Sequence, residues 1–448
     1  MTRILAELFT KVNDDEIGPI CYLLEGRVAP LFEPVEFGIA DQFMIRAIAR
    51  ATDVPISVVK EAFAKTGDLG TAAELLAEKE GTDKQAAAYE QTALLTTEKE
   101  TLVTKESSVL EVFGVLTTIA HTQGVGSQEK KVELLAGLLA GVDPGSVRYL
   151  VRIPLGKLRL GFSDMTILDG LSWMLVGDKS KREVLENGWS VRSDLGYIAR
   201  IVKREGIAGI ETIQPSIGTP IVPALCQRIG TTEEMIAKMG EVDAEPKFDG
   251  VRTQIHFIRG NGKNPDLIAS FSRNLENTTA MYPELMTLGS ALNAESVVLD
   301  TEAVGYDEKT GNFVPFQETV TRKRKHDIDS ASRGIPLRFF VFDILVKDGV
   351  SLLNKPLCDR RSILRETLRE GGPFSMTDHI VTSDPGVLRH YHKTQREKGL
   401  EGIVVKQWSS TYEPGRKGFR WVKLKEEEGK SGKLTDTIDC VIMGYSRG

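Results

Sequence analysis

The chain has 448 residues, 41% of them hydrophobic and 27% charged, with a formal net charge of −6 and a pI near 5.8. At roughly 150 residues per domain that length predicts two or three domains, and the acidic balance excludes global attraction to nucleic acid while leaving room for local basic faces. The four cysteines, Cys21, Cys226, Cys358 and Cys440, lie far apart with no C-x-x-C pair, which excludes a zinc finger or a disulfide framework; with no signal-peptide core and no apolar run near the roughly 20 residues of a membrane span, a cytoplasmic protein without a membrane partner is expected.

Residues 1 to about 210 read as helices. Leu5, Leu8, Phe9 and Val12 fall at helical spacing, as do Ala72, Leu75, Leu76 and Lys79 after a Gly67-Asp-Leu-Gly turn, where Asp68 or Thr71 can cap. Ser127 stands as N-cap before the apolar run 132–142, which Pro144 and Gly145 end. Arg148, Arg152, Lys157 and Arg159 cluster in one short span, followed by Lys203 and Arg204. Such a face can touch phosphates without reading sequence, but spacing alone favours a solvated helix surface. Residues 214–223 hold three prolines and a glycine, which forces extended backbone and marks a domain boundary. From about Ala244 the pattern turns α+β, with strands predicted at 251–258, 267–272, 296–304, 338–346, 402–406 and 419–424 and helices at 355–370 and 385–398. A charged, glycine-containing linker at 425–433 precedes one more strand, Ile438–Tyr445.

Short polar stretches sit at the ends of these strands. Residues 245–252 read Glu-Pro-Lys-Phe-Asp-Gly-Val-Arg, which places Lys247 at the mouth of a strand, with Gly250 allowing close backbone approach. A lysine becomes a nucleophile when burial and cationic neighbours leave it a neutral fraction, and Arg252 beside it suits a phosphate or a ribose hydroxyl. Further on come Ser272-Arg273-Asn274, Asp300-Thr-Glu302, whose two acids share one strand face, Phe342-Asp343, Glu401-Gly-Ile-Val-Val-Lys406 and Trp421-Val-Lys423-Leu-Lys425. Taken singly, each is as well explained by core packing or a solvated surface, and so is the basic run Arg322–Lys325. A nucleophilic lysine, several cations and several carboxylates at strand ends of one domain suit nucleotidyl transfer. In that reaction the amine attacks an α-phosphorus, cations stabilise the charge that develops, and acids such as Glu302 and Glu401 hold Mg2+.

In this order the motifs resemble those of ATP-dependent DNA ligases of the type shared by archaea and the eukaryotic replicative ligase. The resemblance extends to Gly67-Asp-Leu-Gly, Gly126-Ser-Gln-Glu-Lys-Lys131 and Lys157-Leu-Arg-Leu-Gly161, and so spans nearly the whole chain. It implies a multidomain protein: an all-α DNA-binding domain at 1–213, an α+β nucleotidyltransferase (adenylation) domain at 214–432, and at 433–448 the first strand of an incomplete OB-fold. It implies that Lys247 is adenylylated from ATP with Mg2+ as cofactor, and that Glu245 reads the adenine amino group. Arg252 and Arg273 would contact nucleotide and phosphate, Glu302 and Glu401 ribose or metal, Phe342 the adenine face, and Lys423 and Lys425 the α-phosphate. The family often has arginine six residues before the first of these lysines; here that place holds Lys417, with Arg416 beside it, and either is a candidate contact. The implied activity is sealing of nicked double-stranded DNA in replication, repair and recombination, by a monomer, with a sliding clamp as a candidate partner. An OB-fold needs five strands, so a C-terminal truncation with slowed self-adenylation is expected. An RNA ligase or capping-type enzyme, or a nick-binding protein without catalysis, are the competing readings. The residues leave the nucleotide open among ATP, ADP and NAD.

Overall fold

The computed structural model describes residues 1–79, 107–161, 163–261, 264–307, 312–320, 335–369, 371–415 and 418–425. The expected linker beyond Lys425, the strand at 438–445, the basic run at 322–325, Arg416, Lys417 and Cys440 lie outside the described residues. The chain divides into two compact units, Met1–Trp189 with Ser193–Ile213, and Ser190–Arg192 with the chain from Gln214 onward.

The first unit is helical. Its helices start where side chains can satisfy the free N–H groups of a first turn. The Asn13 side chain accepts from the amides of Asp15 and Glu16, each at 3.0 Å, and Glu16 reaches back to the Asn13 amide, a reciprocal cap on the helix Asp14–Leu24. Asp68 caps the helical run at 69–79 by accepting from the Thr71 amide at 2.8 Å. The expectation for Ser127 is corrected: it is the first residue of the helix Ser127–Ala140, and the cap position is Gly126, whose φ of 80° a side chain would strain. Two apolar clusters hold the unit together, one built around Ile48, Leu116, Leu135 and Val151, the other around Phe9, Ile17, Leu168 and Ile198. The basic span is not a free face. Arg152 pairs with Asp68 at 2.8 Å, Lys157 with Asp41 at 3.0 Å, and Arg148 with Glu74. Arg204 pairs with Asp14 at 2.5 Å, and Lys203 donates to the Phe9 carbonyl at 2.8 Å.

The second unit contains two sheets. Its strands are β1 (Gln227–Arg228), β2 (Val242–Lys247), β3 (Val251–Ile258), β4 (Leu267–Ser272), β5 (Ser296–Gly305), β6 (Leu337–Lys347), β7 (Val350–Ser351), β8 (Phe374–Met376), β9 (Ile380–Thr382), β10 (Gly402–Gln407) and β11 (Trp421–Leu424). One sheet runs β1-β11-β10-β2-β9; the other runs β4-β3-β5-β6-β7, with β8 on β6. β3 to β6 and β10 fall where alternation predicts them, because one face of each packs on an apolar core. β2 was not expected. Its sequence, Val-Asp-Ala-Glu-Pro-Lys, points Asp243 and Glu245 to the same buried side, so hydropathy does not alternate. Pro246 is tolerated because β9 pairs only with Val242–Ala244 and ends before it. Three residues, Phe248 to Gly250, carry the chain from the first sheet to the second. At Gly250 a Cβ would stand 2.5 Å from the Ala303 carbonyl oxygen, so only glycine lets β3 enter there. No helix among the described residues is long and apolar enough to cross a membrane.

Candidate active site

Lys247 is the last residue of β2 and not the first of the following strand. It lies opposite Gly402 in the β2–β10 pairing. Gly402 has a φ of 145°, and a Cβ there would stand 2.0 Å from the Leu424 carbonyl oxygen. Glycine therefore lets β2, β10 and β11 close up, which sets Glu401 beside Lys247. The Glu401 carboxylate pairs with the Lys247 ammonium and, at 3.1 Å, with Lys425. Lys247 faces a cavity of about 660 Å³ between the two sheets. Of the residues expected at the site, Glu245, Lys247, Arg252, Arg273, Glu302, Phe342 and Lys423 line that cavity. Glu401 and Lys425 join it through their ion pairs with Lys247 and each other.

The cavity has a wet end and a closed end. Arg273 is exposed at the first. At the other, Glu245 is 3% exposed and flanked by two buried cations, Lys406 at 2.5 Å and Arg361 at 3.0 Å. Arg361 also lies 3.8 Å from Asp243, which takes a 2.6 Å contact from His379. The Lys406 ammonium sits over the rings of Phe342 and Trp421, 4.6 and 4.5 Å from their centroids. Lys406, Trp421, Arg361 and Thr377 were not among the expected site residues. Lys406 and Trp421 could have been found, since both stand inside stretches already singled out. Arg361 and Thr377 carry no local signal.

Arg252, expected to contact the nucleotide, lines the cavity and is also held within the protein. Its Nε and Nη2 donate to the Asp300 carboxylate at 3.0 and 2.6 Å. Tyr412 donates to the same carboxylate at 2.8 Å. The guanidinium lies against the rings of both Phe342 and Trp421, 5.4 and 5.5 Å from their centroids. Asp300 is thus the partner of Arg252, while Glu302, on the same face of β5, is left to the cavity.

Two family models match. An ATP-dependent DNA ligase domain covers residues 223–425 and a DNA ligase N-terminal domain covers residues 1–172. The chain belongs to the ATP-dependent DNA ligase family. Among curated relatives, a probable DNA ligase of Dictyoglomus thermophilum is 39% identical over 449 residues, covering 100% of this chain and 72% of the relative. A DNA ligase of Aeropyrum pernix is 36% identical over 455 residues, covering 100% and 73%. DNA ligase 2 of Thermofilum pendens is 35% identical over 452 residues, covering 100% and 72%. The RNA ligase and capping readings give way to this assignment, and ATP is the nucleotide of the family.

The electrostatics of this ligase's cavity follow from burial and these pairs. Burial pushes the Glu302 carboxyl up to about 7, against the pull of Lys247 and Arg252. Burial acts the same way on Glu401, but the hydrogen bonds and charges of Lys247 and Lys425 outweigh it and hold that carboxyl below its ordinary value. The Lys423 ammonium is pushed down by burial, then by Lys425, Arg228 and Lys247. The site is therefore cationic at the Lys423 side and carries one half-buried, poorly stabilised carboxylate at Glu302.

Proposed function

We propose that Lys247 carries AMP from ATP to the 5′-phosphate of a nick in double-stranded DNA. The observation that supports this best is the placement of Lys247, at the end of β2, facing a cavity open at one end, with Lys423 on its wall and Glu401 pairing with both the Lys247 and the Lys425 ammonium. Glu401 holds the lysine in place in the resting state. The attacking form is the neutral amine, so a proton leaves first; a P–N bond to the α-phosphorus then forms as the bond to pyrophosphate breaks. Lys423 and Lys425 offer positive charge to the α-phosphate, and Arg273 can meet phosphate at the open end. Phe342 and Trp421 form apolar walls for the base, with Glu245 beyond them. The AMP then passes to the DNA 5′-phosphate, freeing Lys247, and the 3′-hydroxyl displaces AMP to join the strands.

Glu302 fits a Mg2+ ligand. It lines the cavity, and its poorly stabilised carboxylate would gain from a dication. Such an ion would be held by this one carboxylate together with water and nucleotide phosphates. Bound there, Mg2+ would supply charge neutralisation at the phosphates. Glu401 is already engaged by two ammonium groups and is assigned to Lys247. The helical unit at 1–213 is assigned to gripping the duplex, and the unit from 214 to adenylation. Incubation with Mg2+ and ATP labelled at the α-phosphate, followed by a chase with nicked duplex, tests the sequence of steps. Label on the protein that moves to DNA is expected; label that stays on the protein, or never appears there, would contradict the proposal.

A further inference from the structure

At the closed end of the cavity, two of the lining residues carry buried side-chain oxygens without a hydrogen-bond partner among the described residues. Thr377 lines the cavity, is 3% exposed, and its Oγ1 has no hydrogen-bond partner among the described residues. The Glu245 Oε1 likewise makes no aligned hydrogen bond, although Arg361 Nη1 lies 3.0 Å away as an ion partner. A buried hydroxyl without a partner costs stability, and such groups are uncommon unless a ligand or water satisfies them. One side chain fixes the pair relative to each other. Arg361, 1% exposed, contacts the Glu245 carboxylate through Nη1 and donates through Nη2 to the Thr377 carbonyl at 3.0 Å. The Thr377 amide donates to Val341 of β6 at 3.0 Å, so its backbone is held on both sides.

We propose that Thr377 is a second base-reading residue, donating its hydroxyl hydrogen to the adenine ring nitrogen next to the amino group that Glu245 accepts from. The proposal rests on reading this cavity as the ATP site. The chemistry follows from the two groups. A carboxylate only accepts, so it matches the 6-amino group of adenine and repels the 6-oxo group of guanine or hypoxanthine. A hydroxyl can donate, and both ring nitrogens flanking the amino group of adenine are acceptors. The acceptor and donor held side by side by Arg361 thus match one edge of a 6-aminopurine. Thr377 adds affinity for ATP, and Glu245 supplies the discrimination against 6-oxopurines.

The test is steady formation of the protein–AMP adduct by the full chain as a function of nucleotide concentration. Thr377→Val, which keeps the shape and removes the hydroxyl, is expected to raise KM for ATP roughly three- to tenfold with the maximal rate unchanged. Thr377→Ser keeps the hydroxyl and is expected to stay close to wild type. The penalty of Thr377→Val is expected to vanish with either 1-deaza-ATP or 7-deaza-ATP, whichever lacks the contacted nitrogen. The melting temperature of Thr377→Val should not fall, because the hydroxyl has no partner to lose among the described residues. An unchanged KM, a penalty that persists with both deaza analogues, or a drop in melting temperature shared with a general loss of rate would overturn the proposal while leaving the ATP site intact. Failure of the wild-type chain to form any adduct would instead overturn the ATP-site reading and this proposal with it.

Discussion

In the helical unit, an ion pair such as Lys157 with Asp41 sits at the surface, its side chains 47% and 40% exposed, and bridges two packed segments. In the second unit the comparable pairs are buried and converge: Arg360 with Asp343 at 0% exposure each, Arg252 with Asp300, and Lys406 and Arg361 sharing Glu245. The contrast matters because solvent screens the first kind, so either partner can be exchanged for another anion or cation at little cost. The second kind has already lost its water, so each member depends on the others and none moves freely. Under the proposed function, a surface that meets DNA phosphate would suit exchangeable pairs, and a cavity that holds a base and an α-phosphate in one geometry would suit pinned ones.

The largest expected effect is at the most buried pair. Arg360→Leu strands the Asp343 carboxylate, and a loss of about 3–5 kcal/mol in denaturant titration is expected. The double change Arg360→Leu with Asp343→Leu should recover most of it; the remainder reflects the bonds Arg360 also gives to the Lys355 and Ser410 carbonyls. Equal losses in the single and double variants would break the comparison. Asp68 is the intermediate case, a helix cap that also pairs with Arg152. Asp68→Ala should cost about 1–2 kcal/mol. Burial pushes its carboxyl up, but Arg152 and Thr71 outweigh that and hold it at about 2. Its pKa is thus depressed on folding, so its contribution is present above the ordinary value of 3.8 and is lost as pH falls toward 2.

Glu25 sharpens the comparison from the opposite side. It is a partly buried acid in the helical unit whose neighbour is Asp164, another acid. Burial first, then the hydrogen bond and charge of Asp164, push its carboxyl from 4.5 to about 8. A raised value means folding favours the protonated form, so the stability it contributes is present below 4.5 and fades as pH rises through about 8. The melting temperature of the helical unit should therefore fall by about a few degrees across that window in wild type, and Glu25→Gln should flatten the decline. A parallel slope in both proteins would assign the effect elsewhere. The smallest stability effect is expected for Lys157→Ala, a change of about a degree or two in melting temperature. The same variant should weaken nicked-duplex binding and reduce the salt dependence by about one phosphate contact. Unchanged salt dependence would show that its partner Asp41 is never exchanged.

The same contrast explains what could be read from the sequence. β3, β5, β6 and β10 carry branched or aromatic residues on a core face, so alternation reveals them. Glu302 within β5, Phe342 within β6 and Glu401 just before β10 were legible for the same reason, whereas Lys247 was legible only from the polar stretch that precedes β3. β2 was hidden because its inward side chains, Asp243 and Glu245, are acids neutralised by cations more than a hundred residues away. Lys406 and Arg361 look like surface cations in sequence and are 1% exposed in the fold. The passage from one sheet to the other at Phe248–Gly250 depends on long-range strand pairing, which periodicity does not encode. Arg252 pairs with an acid 48 positions away, and only the β3–β5 register brings the two together.

The central claim is that Lys247 is the nucleophile. The most direct measurement is peptide mapping by mass spectrometry after long incubation of the wild-type chain and the Lys247→Ala variant with Mg2+ and ATP. One AMP on the peptide containing Lys247, absent from every peptide of the variant, is predicted. AMP on another lysine of the wild-type chain, or an adduct that survives in Lys247→Ala, would contradict the account.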